Sequence, residues 1–418
     1  MQKKIFLLSS FIIGGSSALS AVTINKKITH TISNTLNTKN SKVFHNKFFY
    51  IWNARKLAPL SEAKWPFYVY PKKKTYAENL RLHTKSFWKR VEKNSDWKNY
   101  LSIKKPAISV KRLMLRNFPT DKPIFYDRKK PGEGFPFSYN DNSAVHPNEP
   151  LMVSHFSLDK RFAYVLTSYA SGWVNIENIV YVNKKLMSKI YKSTKIVITT
   201  DNVSILGKKG FSLFLSKIGM ILPVLEERED YYKILYVGKS DTLMPSIKTV
   251  NIPKKISVKL NYNMDMKFVK KMSKKLLGNA YGWGGSNHNR DCSSTLKDLF
   301  ATTGKWLPRN SRAISLARGN GKRLSLSKKN RVQKEAFIID NGIPYRSVLY
   351  MKGHIMLYIG HEKGMVKIFH DMWGIGYIHK GRYVKKVIGK TVESNLYLGK
   401  ELRKKKFLID SLSYMTIF

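Results

Sequence analysis

A chain of 418 residues with 43% hydrophobic residues, 8 Trp, 23 Tyr and 21 Phe is long enough for about two to four folded domains and too apolar for a disordered polymer. Its one cysteine excludes an intramolecular disulfide framework and a cysteine-rich zinc site. With 76 Lys and Arg against 27 Asp and Glu, the formal charge of +49 favours anionic partners, although nucleotide bias in a genome also produces such Lys, Asn and Ile enrichment.

In chain order, residues 1–21 read as a signal peptide. MQKK gives a positive start, IFLLSSFIIGG an apolar run, and SSALSA small residues for cleavage after Ser20 or Ala21. The run is too short for a permanent span, and no cysteine follows it to carry lipid. No later run of about 18 uninterrupted apolar residues predicts a transmembrane anchor. An exported protein rarely meets nucleic acid, so no nucleic-acid partner is expected. An anionic cell-wall polymer is the partner the charge permits.

Residues 22–107 form an N-terminal, partly helical region. Its first part, to about Tyr50, is Asn/Lys/Thr-rich and reads as a flexible lead-in, whereas AENLRLHTKSFWKRVEKNSDWKNYL has apolar residues at spacings of three and four. Residues 108–182 and 192–252 read as two small β-barrels in tandem, with short alternating strands broken by Pro, Asp and Gly. Trp173, in SGWVNIENI, is expected to cover one end of the first. VLEEREDYYKILYV in the second predicts two strands around a charged turn. Residues 260–400 change character again. MDMKFVKKMSKKLLGNAYGW predicts a helix stopped at Gly, a second helix starts at the cysteine, and a strand-rich tail runs from about Arg346. Helix first and antiparallel strands later predict an α+β domain. The basic stretch RLSLSKKNRVQKE reads as a solvated loop.

The chemistry concentrates in YGWGGSNHNRDCSSTLKDLF. Leu296, Leu299 and Phe300 share one helical face, and Asp291 and Ser293 suit a helix start, which puts Cys292 in the first turn. There the helix dipole and unpaired N–H groups are expected to lower the thiol pKa. A thiolate nucleophile needs a base, and the base an orienting group. GHIMLYIG and MVKIFH predict a hairpin. If HEK closes it around Glu362, His354 lies directly opposite His370. Cys292 then reads as nucleophile, His354 as general base and His370 as its orienting partner. The Cys292 N–H, with Tyr281 or another side chain, would form an oxyanion hole. The ten histidines lack HxxxH-type clustering and no carboxylate set completes a site, so neither metal nor cofactor is expected.

These motifs resemble the NlpC/P60 family of cysteine peptidases: Y-G-W-G-G…D-C-S, then LPRNS (Leu307 to Ser311), then GHIMLYIG, then His shortly before W-G. Upstream, PGEGFPFSYNDNSAVHPNEPL and SGWV resemble bacterial SH3-like domains, found in one multidomain branch after a helical N-terminal region. The resemblance implies a multidomain α+β protein, two SH3-like barrels followed by a papain-like catalytic domain. It implies hydrolysis of the γ-D-glutamyl–diamino acid bond (diaminopimelate or lysine) in peptidoglycan stem peptides or muropeptides. It places Tyr281, Asp291 and Ser293 in the substrate cleft, and Glu133 and Tyr139 where a free L-Ala amino end would be recognised. The family usually has Gly after D-C-S, where Ser294 stands here. Other readings are a papain-like amidase or acyltransferase, and a non-catalytic wall-binding protein.

Overall fold

The computed structural model describes residues 39–127, 132, 136–240, 244–318, 321–402 and 406–418. The signal peptide read at 1–21 and Glu133 lie outside them. Part of the stretch read as a flexible lead-in is helix α1 (Lys39–Phe48). Its Phe44 is buried with Val197, Ile221, Leu260 and Tyr262, so apolar burial overrides a polar local sequence. Farther on, Trp52 donates from Nε1 to the Ala107 carbonyl at 3.0 Å. Helix α2 (Lys85–Asn94) starts at Thr84, whose hydroxyl accepts from the Phe87 N–H.

Seven antiparallel strands follow: β1 (Lys105–Ser109), β2 (Leu113–Arg116), β3 (Asp141–Val145), β4 (Pro150–Phe156), β5 (Phe162–Leu166), β6 (Ser171–Asn175) and β7 (Ile179–Tyr181), in the order β3-β2-β6-β5-β4-β1-β7. Trp173 is not an end cover. It lies wholly buried in β6, packed with Trp88, Trp97, Phe118 and Tyr164, and joins the sheet to the helical region.

Helix α3 (Lys184–Lys192) leads to a second unit. Strands β8 (Lys195–Ile198), β9 (Ser204–Leu206), β10 (Ser212–Leu215), β11 (Ile221–Glu227), β12 (Tyr231–Lys239), β13 (Pro245–Pro253) and β14 (Ser257–Lys259) make a five-stranded sheet, β13-β12-β11-β8-β14, and a two-stranded hairpin, β9–β10.

The C-terminal unit opens with α4 (Met266–Leu276), capped by the Asp265 carboxylate. Gly278, just past its end, has φ +80°, a left-handed conformation suited to glycine. Helix α5 (Cys292–Ala301) follows. The six-stranded antiparallel sheet runs β15-β20-β16-β17-β18-β19, with β15 (Lys322–Ser325), β16 (Ser347–Met351), β17 (His354–Glu362), β18 (Met365–His379), β19 (Arg382–Asn395) and β20 (Leu412–Ile417). The basic stretch read as a loop is instead β15, paired with β20, and the start of α6 (Arg331–Asn341). Its lysines hid the pattern. Lys334 is buried, its Nζ donating to the Ile409 carbonyl at 2.8 Å, and Ile338 packs under the sheet.

Leu296, Leu299 and Phe300 of α5 are buried against Ile355 and Leu357 of β17 and Phe369 of β18. Each such side chain contributes about 1.5–3 kcal/mol. This contact presses the cysteine end of α5 onto the sheet.

Candidate active site

Asp291 is the N-cap of α5. Its carboxylate accepts from the Ser294 N–H at 2.9 Å, and the Ser294 hydroxyl accepts from the Asp291 N–H at 2.8 Å. Ser294, the departure from the usual glycine, thus completes a reciprocal cap and fixes the start of the helix. Cys292 occupies the first turn, half-buried.

The hairpin brings both histidines together, but not by direct opposition. The turn is Lys363–Gly364 rather than a loop centred on Glu362, with φ +49° and +74°, as a tight two-residue hairpin turn requires. From that turn alone, a regular ladder would put the two histidines on opposite faces. A bulge at Ile359, between the Tyr358–Ile368 and Gly360–Lys367 pairs, restores the parity. Counting on from Leu357–Phe369, His354 faces position 372 and His370 is its diagonal neighbour. Imidazoles are long enough for that reach. His354 Nε2 and His370 Nδ1 lie 2.9 Å apart.

Hydrogen-bond accounting gives one consistent set of tautomers. His370 Nε2 is 3.1 Å from Ser394 Oγ, and Ser394 Oγ is 3.1 Å from the Asn395 carbonyl. With the Ser394 hydroxyl donating to that carbonyl, Ser394 accepts from His370 Nε2–H, and His370 Nδ1 is an acceptor. His354 then donates from Nε2, with its Nδ1 unprotonated.

Cys292, His354 and Tyr281 line one cleft of about 920 Å³, with Met372, Trp373 and Lys385 among its walls. Burial pushes the Cys292 thiol up to about 12, reinforced by Asp291 and only partly offset by Ile355 and Arg309. Burial and the adjacent carboxylate therefore act against the low-pKa thiolate expected from the helix start. Burial also lowers His354 to about 4, and burial together with His354 lowers His370 well below the ordinary range. Both the thiol and the imidazole are thus pushed toward their neutral forms.

Three family models match: "NLPC_P60 stabilising domain, N term" over residues 18–100, "SH3 domain (SH3b1 type)" over 123–175, and "NlpC/P60 family" over 278–393. The chain is an α+β multidomain protein with an SH3-like domain ahead of an NlpC/P60 domain. A solved NlpC/P60 endopeptidase from Photobacterium damselae subsp. piscicida is similar at 21% identity and TM-score 0.80, over 93% of this chain and 92% of that one. An NlpC/P60 family protein from Bacillus cereus ATCC 10987 is 14% identical, with TM-score 0.47, over 66% of this chain and 81% of that one. No curated protein matches.

Within the NlpC/P60 domain, Asp291 and Ser293 turn away from the cleft into a buried clamp. Arg309, from LPRNS, donates Nη1 and Nη2 to the two Asp291 oxygens at 3.0 and 2.7 Å. It also donates to Ser293 Oγ at 2.6 Å and, from Nε, to Ser143 Oγ of the SH3-like domain at 2.9 Å. Burial alone would raise the Asp291 pKa. The Arg309 guanidinium and the Ser294 and Ser293 hydrogen bonds outweigh it, so the carboxylate stays below its usual range. In this structure Asp291 caps and anchors the helix.

Tyr281 forms the cleft wall, its ring against Phe137 at 5.5 Å and Trp373 at 6.1 Å. Tyr139 lies outside the cleft lining and packs edge-on against Trp283 of the active-site loop at 5.4 Å. Sequence reading assigned no role to Arg309, Ser394, Arg290 or Asp298. LPRNS offered a signal for the first. Nothing local marks Ser394, which reaches the site only because β19 pairs with β18, placing it opposite Ile368.

Proposed function

We propose that the chain is an exported, periplasmic or extracellular cell-wall cysteine endopeptidase. It hydrolyses the γ-D-glutamyl–diamino acid bond of peptidoglycan stem peptides, the bond implied by the motif resemblance. The observation that carries this reading is the hydrogen-bond chain His354–His370–Ser394 at the cleft that Cys292 lines, which supports a His354 tautomer with Nδ1 as the base.

His354 Nδ1 takes the thiol proton as Sγ attacks the γ-carbonyl carbon. Charge collects on the carbonyl oxygen, where the Cys292 N–H at the helix start is a donor, with Tyr281 as the second. As the C–N bond breaks, His354 returns the proton to the departing amine, leaving a thioester. Water, deprotonated by His354, attacks the thioester, and Sγ leaves with the proton. His370 and Ser394 act through His354 by holding its tautomer. Asp291 and Ser293 shape the cleft from behind, Tyr139 supports Trp283 of the active-site loop, and Glu133 recognises the peptide's free amino end. The boundaries 22–107, 108–182, 192–252 and 260–400, after removal of 1–21, remain part of this reading. An anionic wall polymer is a fitting surface for the basic exterior.

The test is digestion of defined muropeptides with mass spectrometry, wild type beside Cys292→Ala. Release of L-Ala-γ-D-Glu by wild type only is expected. Intact stem peptides with both proteins would sink the endopeptidase, and transfer to an added amine without hydrolysis would favour an acyltransferase.

A further inference from the structure

The second unit, residues 195–259, is bolted to the residue two places before the nucleophile. Arg290 is buried and donates Nη1 and Nη2 to the two oxygens of Asp201, at 2.5 and 3.0 Å. It also donates Nη2 to the Ile218 carbonyl at 3.0 Å and Nε to Asp298 of α5 at 2.7 Å. The Asp201 carboxylate is saturated: it accepts in addition from the Ile218 N–H at 2.6 Å and Asn279 Nδ2 at 3.2 Å, and pairs with Lys217 at 3.8 Å. Asp298 is met from the other side by His146 of the SH3-like domain, Nε2 to Oδ1 at 3.1 Å. Gly219, at φ +87°, packs so tightly that an added Cβ would lie 2.3 Å from the Asp298 carbonyl oxygen.

Arg290 also reaches the other side of the cleft. Its carbonyl accepts from the Gly282 N–H at 2.6 Å, and its backbone bridges to Tyr281. One guanidinium therefore fixes the start of the cysteine helix while its own backbone holds the tyrosine loop. Both depend on a carboxylate supplied by another unit.

We infer that the second unit is a positioning element of the catalytic centre, with Asp201 as the residue that sets Arg290, and through it Cys292 and Tyr281, in register with His354. This rests on the peptidase reading above. A nucleophile displaced by about 1 Å loses on the order of 100-fold in rate, so a carboxylate distant from the bond being cut acts on turnover.

The experiment compares full-length wild type with Asp201→Asn, which keeps the shape and loses the charge, and Asn279→Ala, a milder change that removes one donor to Asp201. Folding is checked by near-UV circular dichroism. Muropeptide kinetics and iodoacetamide alkylation of Cys292 are then measured. Cys292 is the only cysteine, so alkylation reports the nucleophile without any substrate. We expect kcat to fall at least about 10-fold in Asp201→Asn with KM within about twofold. The alkylation rate should change at least about threefold, with Asn279→Ala intermediate in both. Unchanged kcat and alkylation in folded Asp201→Asn would overturn the inference. So would an unfolded Asp201→Asn alongside a folded Asn279→Ala that matches wild type, since Asp201 would then serve stability alone. If wild type cleaves no muropeptide, the peptidase reading fails by itself, and the alkylation comparison still decides the role of Asp201.

Discussion

Ser394 shows how much one hydroxyl can decide. When its proton goes to the Asn395 carbonyl it accepts from His370, and that choice propagates to His354. Ser394→Ala removes the acceptor and frees His370 to take either tautomer. A hydrogen bond of this kind is worth about 1 kcal/mol, so we expect kcat to fall roughly 5–10-fold with KM little changed. Steady-state kinetics on a muropeptide measures this, and a KM-only effect would remove Ser394 from the tautomer argument. The acid side of the pH profile belongs to the same pair. Burial lowers His354 to about 4, so the base stays neutral as pH falls through the ordinary histidine range and is lost only on protonation near 4. The acid limb of kcat/KM should have its midpoint near pH 4. A midpoint near 6.5 would mean that His354 is not the base or is solvated in the free enzyme.

At the scale of elements, the hairpin shows what a sequence carries and what it conceals. Alternation in GHIMLYIG and MVKIFH made two strands legible, and the requirement for a base near Cys292 pointed at their histidines. The register was not legible, because it depends on a two-residue turn and a bulge whose effects on parity offset each other. Gly360 marks the bulge, with φ +123° and nothing within 4 Å of an added Cβ. Gly360→Ala therefore tests backbone strain alone. We expect about 1–3 kcal/mol lower stability, seen as a lower denaturation midpoint, with kcat preserved if the bulge holds. Loss of activity at unchanged stability would show that the bulge has slipped and parted the histidines. Helix α5 was readable because its apolar face and its cap coincide at Asp291–Phe300. Helix α6 was not, since its buried Lys334 and Glu335 look like solvent-facing charges until the distant segments around Ile409 and Val366 supply their partners.

Across the whole molecule, the least legible feature was how the units meet, because interface partners lie far apart in sequence and follow no period. The loop 283–289 is pressed onto β3 of the SH3-like domain. Trp283 Nε1 donates to the Asp141 carbonyl at 3.1 Å, and Arg112 Nη2 donates to the carbonyls of Gly285 and Asn289 at 2.9 and 3.2 Å. The glycines of this loop make room for another domain. At Gly285, φ +91°, an added Cβ would lie 2.7 Å from the Ala144 Cβ and 3.2 Å from Arg112 Nη2. Neither neighbour can yield easily: Ala144 is part of a paired strand, and Arg112 is held by the two carbonyls. Gly285→Ala should thus add overpacking of about 1–3 kcal/mol to the backbone strain. Because the same loop carries Tyr281 at one end and Cys292 just beyond the other, kcat/KM should fall by at least about 10-fold. Gly210→Ala is the matched control, left-handed at φ +78° but with nothing within 4 Å of its Cβ and far along the chain from the cleft. It should lose only the strain and retain activity. Thermal midpoints and muropeptide kinetics on the pair separate the two effects. Equal, small losses in both variants would mean that the domain contact bears no part in shaping the cleft. A selective loss in Gly285→Ala would identify the seam between domains as part of the catalytic architecture.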